Sequence, residues 1–253
     1  MHHPCHLNTE GDPLVLLSAV AGATTRIGLV TSVLVLPLYD PVVVAHQTAT
    51  LDRLSRGRFT LGVGTGWDEA EFAAVGTPFA GRGRRTDEQL DAVRTLWRGQ
   101  QSRGGAEVRL GVRPRTPGGP PVWVGGHSDA ALRRALRYGD AWHGSGLDAA
   151  GLAQVRGRLA EFGKEAGRDP ATPLELTSGQ LLVPPGFEAA VRLSGRRLLG
   201  GAEPTAERVR QELRQLADGG LAACSLWLPV AGEALPDALA RVAEEVLSRL
   251  SGE

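Results

Sequence analysis

The stretch Arg26–Trp67, RIGLVTSVLVLPLYDPVVVAHQTATLDRLSRGRFTLGVGTGW, limits what this chain can fold into more than any other part of it. Two apolar, β-branched runs, Ile27–Val35 and Phe59–Val63, flank an amphipathic segment, Pro41–Leu54, that Asp40-Pro41 opens and Ser55–Gly57 closes. Strands this continuously apolar are covered on both faces, as in a parallel sheet under helices. The second run leads straight into Gly62, Gly64 and Gly66. Glycines at the C-terminal end of a strand let backbone N–H groups approach a ligand closely, and α/β folds place their sites there.

The same rhythm runs through the rest of the chain. Strands are expected at 27–35, 59–64, 121–125, 140–143, 174–183 and 221–228, and helices at 14–24, 41–54, 86–97, 130–138, 148–167, 205–218 and 236–250. The acidic stretch 67–74, with Asp68, Glu69 and Glu71, reads as a solvated helical turn. Residues 100–120 form a Gly/Pro/Arg-rich insert with one strand-like run at 107–112, a surface excursion or a substrate-side lid. No linker or repeat divides the 253 residues, so a single domain over 1–253 is expected. A formal net charge of zero gives no basic patch for nucleic acid. Of the 28 basic residues all but Lys164 are arginine, a mark of base composition. Cys5 and Cys224 suit a reducing compartment and make no disulfide framework. No run is long and apolar enough to span a membrane, which leaves the cytoplasm as the expected location.

Val122-Trp123-Val124 runs into Gly125-Gly126-His127-Ser128, ahead of a helical segment. Strand, two glycines, a serine N-cap and a helix start can bind an anion through free N–H groups and the helix dipole. From the residues alone, a plain tight turn is an equal reading. Arg82, Arg84 and Arg85 read as a solvated stretch or as partners of Asp87 and Glu88, with contact to an anionic cofactor tail as the alternative. His46 reads as a helix-face residue. His143, at a strand end, is either a polar edge residue or part of a catalytic face. The segment Met1–Pro13 carries three of the six histidines and Cys5. It fits a frayed terminus or a purification-tag remnant, and is weak evidence for a metal site.

Three segments carry a family resemblance: Leu51–Trp67, Pro78–Arg85 (PFAGRGRR) and Pro120–His143 (PPVWVGGHSDAALRRALRYGDAWH). Together with the strands between them they resemble the luciferase-like monooxygenases, flavin- or deazaflavin-dependent (β/α)8 barrels, over most of residues 12–145. The resemblance implies a TIM-type α/β barrel and an oxidoreductase acting on a small organic molecule. Coenzyme F420 leads, because the GRGRR-type linker and the GG-x-S turn look most like the deazaflavin branch. FMN is the alternative. It further implies a β-bulge at Thr31-Ser32-Val33, often with a non-proline cis peptide, placing Ser32 and Val33 behind the cofactor ring. Gly64, Thr65 and Gly66 would lie beside the ring, and Gly125, Gly126, His127 and Ser128 would hold the phosphate, although His127 stands where the family commonly has Asn or a small residue.

Family members often carry Glu-His-His at the end of their second strand, followed after a short loop by Pro. His2, His3 and Pro13 keep that spacing, and Met1 stands where the Glu would be. On this reading His2 or His3 is the general acid/base, since histidine titrates near working pH. It also implies a barrel incomplete at its N-terminus, with strands 3–8 present and roughly 40 residues of βαβ unit missing. Exposed strand edges are templates for pairing, so a homodimer or higher oligomer is expected. A degenerate barrel without activity is the competing, non-enzymatic reading.

Overall fold

The structure is a computed structural model, and it describes residues 11–99, 101–103, 106–169, 172–193 and 195–250. The chain divides into two compact units, residues 1–142 and 143–253.

The first unit opens with helix α1 (Pro13–Ala23). Asp12 caps it, its carboxylate accepting from Leu14 N and Val15 N, and Pro13 takes the first turn, where a missing N–H costs nothing. Helix α2 (Pro41–Leu54) repeats the device, with Asp40 accepting from Val42 N and Val43 N ahead of Pro41. Between them the expected strand 27–35 is two short pieces, β1 (Leu29–Val30) and β2 (Leu34–Val35). Both pair in parallel with β3 (Phe59–Gly64), which pairs in parallel with β6 (Val122–Gly125). Phe59, Leu61 and Val63 are fully buried, as are Val44, Ala45 and Ala49 of α2. Burying each large apolar side chain contributes about 1.5–3 kcal/mol before entropy is counted.

After β3 come a short helix α3 (Glu69–Ala74) and α4 (Arg82–Arg98). Helix α4 starts a turn earlier than its apolar periodicity suggests. Gly81 adopts the left-handed conformation, φ 74°, and its carbonyl accepts from Arg85 N, so Arg82, Arg84 and Arg85 form the first turn of the helix. The insert holds an antiparallel hairpin, β4 (Gln101–Arg103) and β5 (Ala106–Val108), where one strand at 107–112 was expected. Buried Asp52 pins the insert's far end, accepting from Thr116 N at 2.7 Å and Thr116 Oγ1 at 3.0 Å. Helix α5 (Asp129–Tyr138) completes the unit, and strand β7 (Ala141–Ser145) runs across the boundary.

In the second unit, α6 (Ala149–Glu165) is capped by Asp148 and α7 (Ala206–Asp218) by Thr205. Strand β8 (Glu175–Leu181) lies between the 143–145 half of β7 and β9 (Leu221–Trp227), and β8 and β9 are parallel. The expected last helix, 236–250, is α-helical only as α8 (Leu235–Arg241). It continues as a π turn over Val242–Val246 and a 3-10 turn over Leu247–Arg249. Its Ala238, Val242 and Val246 are buried, as are Val209 and Leu216 of α7. Among the described residues no helix is long and apolar enough to cross a membrane.

Candidate cofactor site

The first unit's site is built on a β-bulge. Val30 pairs with Thr60 and Leu34 with Val63, so three residues, Thr31–Val33, span the interval that Leu61 and Gly62 span on β3. One residue is extra, and such an insertion bends a strand and re-aims a side chain. Residues 60 and 62 turn their polar groups toward the bulged strand, since Leu61 N donates to Pro121 O on the other side. At the bulge Thr31 replaces the ladder with its side chain. Its hydroxyl donates to Gly62 O at 2.7 Å and accepts from Gly62 N at 2.9 Å. The Ser32–Val33 peptide is cis.

The re-aimed side chain is Val33. A Cβ on Gly64 would lie 2.8 Å from Val33 Cγ2, and one on Gly125 would lie 3.4 Å from both Val33 methyls and 3.2 Å from Val63 O. At Gly66, φ 73°, a Cβ would meet Val35 Cγ1 at 2.6 Å and the Phe72 ring at 2.9 Å. These glycines therefore answer first to packing by the neighbouring strand and helix α3. Val33 forms an apolar shelf across the ends of β3 and β6, where Val63 pairs with Val124.

The second turn is pinned from beneath. Gly126, φ 122°, has no room for a Cβ, which would sit 2.8 Å from that of Ala131. Its carbonyl accepts from Trp142 Nε1 at 2.7 Å, and the His127 ring stands edge-to-face on Trp142 with centroids 5.6 Å apart. His127 thus has a packing role. Ser128 caps α5 by accepting from Ala131 N at 3.2 Å. His127 and Ser128 are exposed, so the backbone at this helix start faces solvent. Buried Arg134 then ties α5 to α4, donating to Asp87 at 2.6 Å and to Gly83 O at 2.9 Å.

Two contributors carry no signal strong enough to single them out in the sequence. Thr31 is one. The other is Arg82, whose Nε donates to Gly66 O at 3.1 Å while its guanidinium lies 3.8 Å over the Phe79 ring. Phe79 in turn stands edge-to-face on Phe72, 5.2 Å away. Only the bulge's place in the resemblance hinted at Thr31. Nothing local distinguishes Arg82 from Arg84, which is exposed beside Glu88.

Gly64, Thr65 and Gly66 lie at the C-terminal end of β3 and Gly125, Gly126, His127 and Ser128 at that of β6, while Ser32 and Val33 stand in the bulge between β1 and β2, with Val33 against Gly64 and Gly125. His2 and His3 lie outside the described residues. His143, in the second unit, is buried with Nδ1 2.8 Å from Thr177 Oγ1. Cys224 is no nucleophile at neutral pH, because burial pushes its thiol up to about 11. Among the described residues no cluster of metal-ligating side chains occurs.

Residues 2–245 match the family model for luciferase-like monooxygenases. An uncharacterised protein of Mycobacterium tuberculosis H37Rv is 37% identical over 172 residues, 65% of this chain and 58% of that protein. The 4-hydroxyprotoasukamycin monooxygenase of Streptomyces nodosus subsp. asukaensis is 35% identical over 148 residues, 55% of this chain and 40% of the enzyme. The chain thus spans less than two thirds of the length of these curated relatives. Among solved structures, an F420-dependent secondary alcohol dehydrogenase superimposes with a TM-score of 0.78 at 18% identity, covering 98% of this chain and 87% of that one. The FMN-bound oxygenating component of 3,6-diketocamphane monooxygenase, from the CAM plasmid of Pseudomonas putida, gives 0.75 at 15% identity, covering 98% and 86%. At these identities the likeness speaks for the α/β parallel-sheet fold alone.

Proposed function

The chain belongs to the luciferase-like monooxygenase family, and on that premise we propose that it is a flavin- or deazaflavin-dependent oxidoreductase acting on a small organic molecule, with coenzyme F420 ahead of FMN. Its parallel strands would form part of the family's barrel, within one functional domain over 1–253. The observation that carries the reading is the shelf: the bulge at Thr31–Val33 swings Val33 across two glycine-ended strands, beside an exposed helix start.

The residues present fit such a cofactor. Val33, packed against Gly64 and Gly125, offers an apolar rest for a planar ring. The first turn of α5 has N–H groups without intrahelical partners, and its dipole favours a phosphate there. Gly126 keeps that turn tight. Arg82 and Phe72 hold Gly66 in place from behind. When bound, the cofactor supplies hydride transfer, or oxygen activation in the case of FMN. The protein's share is to orient the ring, exclude water and move a proton on the substrate, a task assigned to His2 or His3. F420 is placed first on the GRGRR-type linker and the GG-x-S turn, while the likeness to the FMN-bound oxygenating component of 3,6-diketocamphane monooxygenase supports FMN as the second choice. A cytoplasmic setting fits the two cysteines, and the exposed Val15, Leu16 and Val20 of α1 fit a homodimer or higher oligomer.

Titration with F420, FMN and riboflavin tests the reading. The parent should bind F420 or FMN, and Gly126→Val should weaken that binding by about 10- to 100-fold, a loss of roughly 1.4–2.8 kcal/mol, while changing riboflavin affinity little. Equal loss for FMN and riboflavin would remove the phosphate assignment. Binding of neither F420 nor FMN by the parent would remove the oxidoreductase reading.

A further inference from the structure

The first unit has a polar cavity beside helix α4. Arg85, Glu88, Gln89 and Ala92 of that helix line it. Their spacing, i, i+3, i+4 and i+7, sets them in one stripe along the helix. Such a stripe is ordinarily apolar and packed on a neighbour. This one is mostly polar and borders a cavity of about 540 Å3. Residues 37–41, which lead into α2, and 76–78, which lead into α4, supply the rest of the lining. None of these residues belongs to the cofactor site.

Two of the polar side chains are anchored to other residues of the lining. Gln89 Nε2 donates to Tyr39 O at 2.6 Å, and Arg85 donates from one terminal nitrogen to Pro78 O at 2.7 Å. The first bond fixes which way the Gln89 amide points, since the flipped amide would set Oε1 against the Tyr39 carbonyl, acceptor against acceptor. Gln89 is 6% exposed. Its Oε1 is buried without a hydrogen-bond partner, the only such side-chain atom among the described residues. Buried polar atoms are nearly always paired, so an orphaned acceptor on a residue that lines a cavity points to a donor from that cavity. The terminal torsion of a glutamine is soft, so Oε1 can tilt toward the cavity while Nε2 stays on Tyr39 O.

We propose that this cavity binds an organic molecule through a carboxamide edge, its N–H donating to Gln89 Oε1 and its carbonyl accepting from Arg85. Gln89 presents its acceptor, because Nε2 is held by Tyr39 O. Arg85 presents only donors, since a guanidinium carries five N–H groups and no acceptor. The two stand one helical turn apart on the same face, about 5–6 Å between Cβ atoms. Together they match a group that shows N–H beside C=O. An ammonium would suit Gln89 and be repelled by Arg85. A carboxylate would suit Arg85 and set an oxygen against Oε1. The two carboxylates of the lining are engaged elsewhere, Asp40 in capping α2 and Glu88 in pairing with Arg84 at 3.7 Å, so they do not turn the balance toward a cation. Pro37, Pro41 and Pro78 give stiff apolar walls for the body of the molecule. This site and the cofactor reading stand or fall separately, because they share no residue.

The test uses the full chain labelled with 13Cδ-glutamine, with Gln89→Met to identify the Gln89 resonance and benzamide, benzoate and benzylamine as probes. Benzamide should bind saturably, at least about tenfold more tightly than either charged probe. Saturation should shift the Gln89 Cδ signal, which reports a new bond at Oε1. Arg85→Met, in a chain that still melts cooperatively, should weaken benzamide binding at least about tenfold. A Gln89 Cδ signal unmoved by saturating benzamide means that water alone serves Oε1, and overturns the proposal. Benzoate or benzylamine shifting that signal at the same concentration as benzamide overturns it too, as does Arg85→Met binding as the parent does, or no saturable binding of benzamide.

Discussion

Replacing Thr31 by Val tests whether a side chain stands in for the missing rung of the ladder at the bulge. Valine keeps the shape and β-branching of threonine and removes only the hydroxyl. That hydroxyl is bonded twice to one buried residue, donating to Gly62 O at 2.7 Å and accepting from Gly62 N at 2.9 Å, and Thr31 is 2% exposed. Thr31→Val leaves the buried Gly62 N–H facing a methyl group, while Gly62 C=O keeps its place in the ladder beside the Leu34–Val63 pair. An orphaned buried N–H costs about 1–3 kcal/mol, so a loss of that size is expected. For a protein of this size that is a fall of roughly 2–12 °C in melting temperature. Thr31→Ser keeps both bonds and deletes one methyl, so it should lose only about 0.5–1.5 kcal/mol, the scale of a single-methyl deletion in a core. Urea denaturation of parent and both variants measures the differences, with an unchanged m value showing that the unfolded state is the same. If Thr31→Val falls within about 0.5 kcal/mol of the parent, the hydroxyl does not hold the bulge and the account of the shelf fails with it.

Three further outcomes follow from the same geometry. Gly64→Ala should lose about 1–3 kcal/mol by overpacking against Val33 Cγ2, and Val33→Ala in the same chain should recover most of it; a double-mutant cycle by thermal melting reads the coupling, and additivity would refute the contact. Asp52→Ala removes both bonds to Thr116, should lose roughly 2–4 kcal/mol, and should speed tryptic cleavage at Arg109 and Arg115; an unchanged digestion rate would show that the insert is held otherwise. Cys224, its thiol raised to about 11 by burial, is only about 0.1% thiolate at pH 8, so in a Cys5→Ser background iodoacetamide should label it slowly and faster as pH rises toward 11. Rapid labelling at pH 7 by intact-mass measurement would contradict the burial.

Much of this molecule was legible because it is encoded over short distances. Asp12-Pro13 and Asp40-Pro41 announce helix starts by satisfying the first N–H groups locally, and the structure uses both as caps. The run Phe59–Val63 is apolar enough to be a buried strand in any register, and strand β3 ends at Gly64 as the sequence suggests. The gathering of Gly64–Gly66 and Gly125–Ser128 at one end of neighbouring strands follows from parallel pairing alone.

What the sequence could not decide depends on partners far apart in the chain. Thr31 and Gly62 are 31 residues apart, and no periodicity connects them. The same is true of Arg82 and Gly66, and of His143 and Thr177. A glycine at a strand end reads the same whether a ligand, a neighbouring valine or nothing occupies the space beside it. Only the folded chain shows that Val33 fills the space beside Gly64. One inserted residue at the bulge sets which side chains share a face. Insertion changes a strand's register against its neighbour, a property of two segments together, so it becomes visible only once both strands are in place.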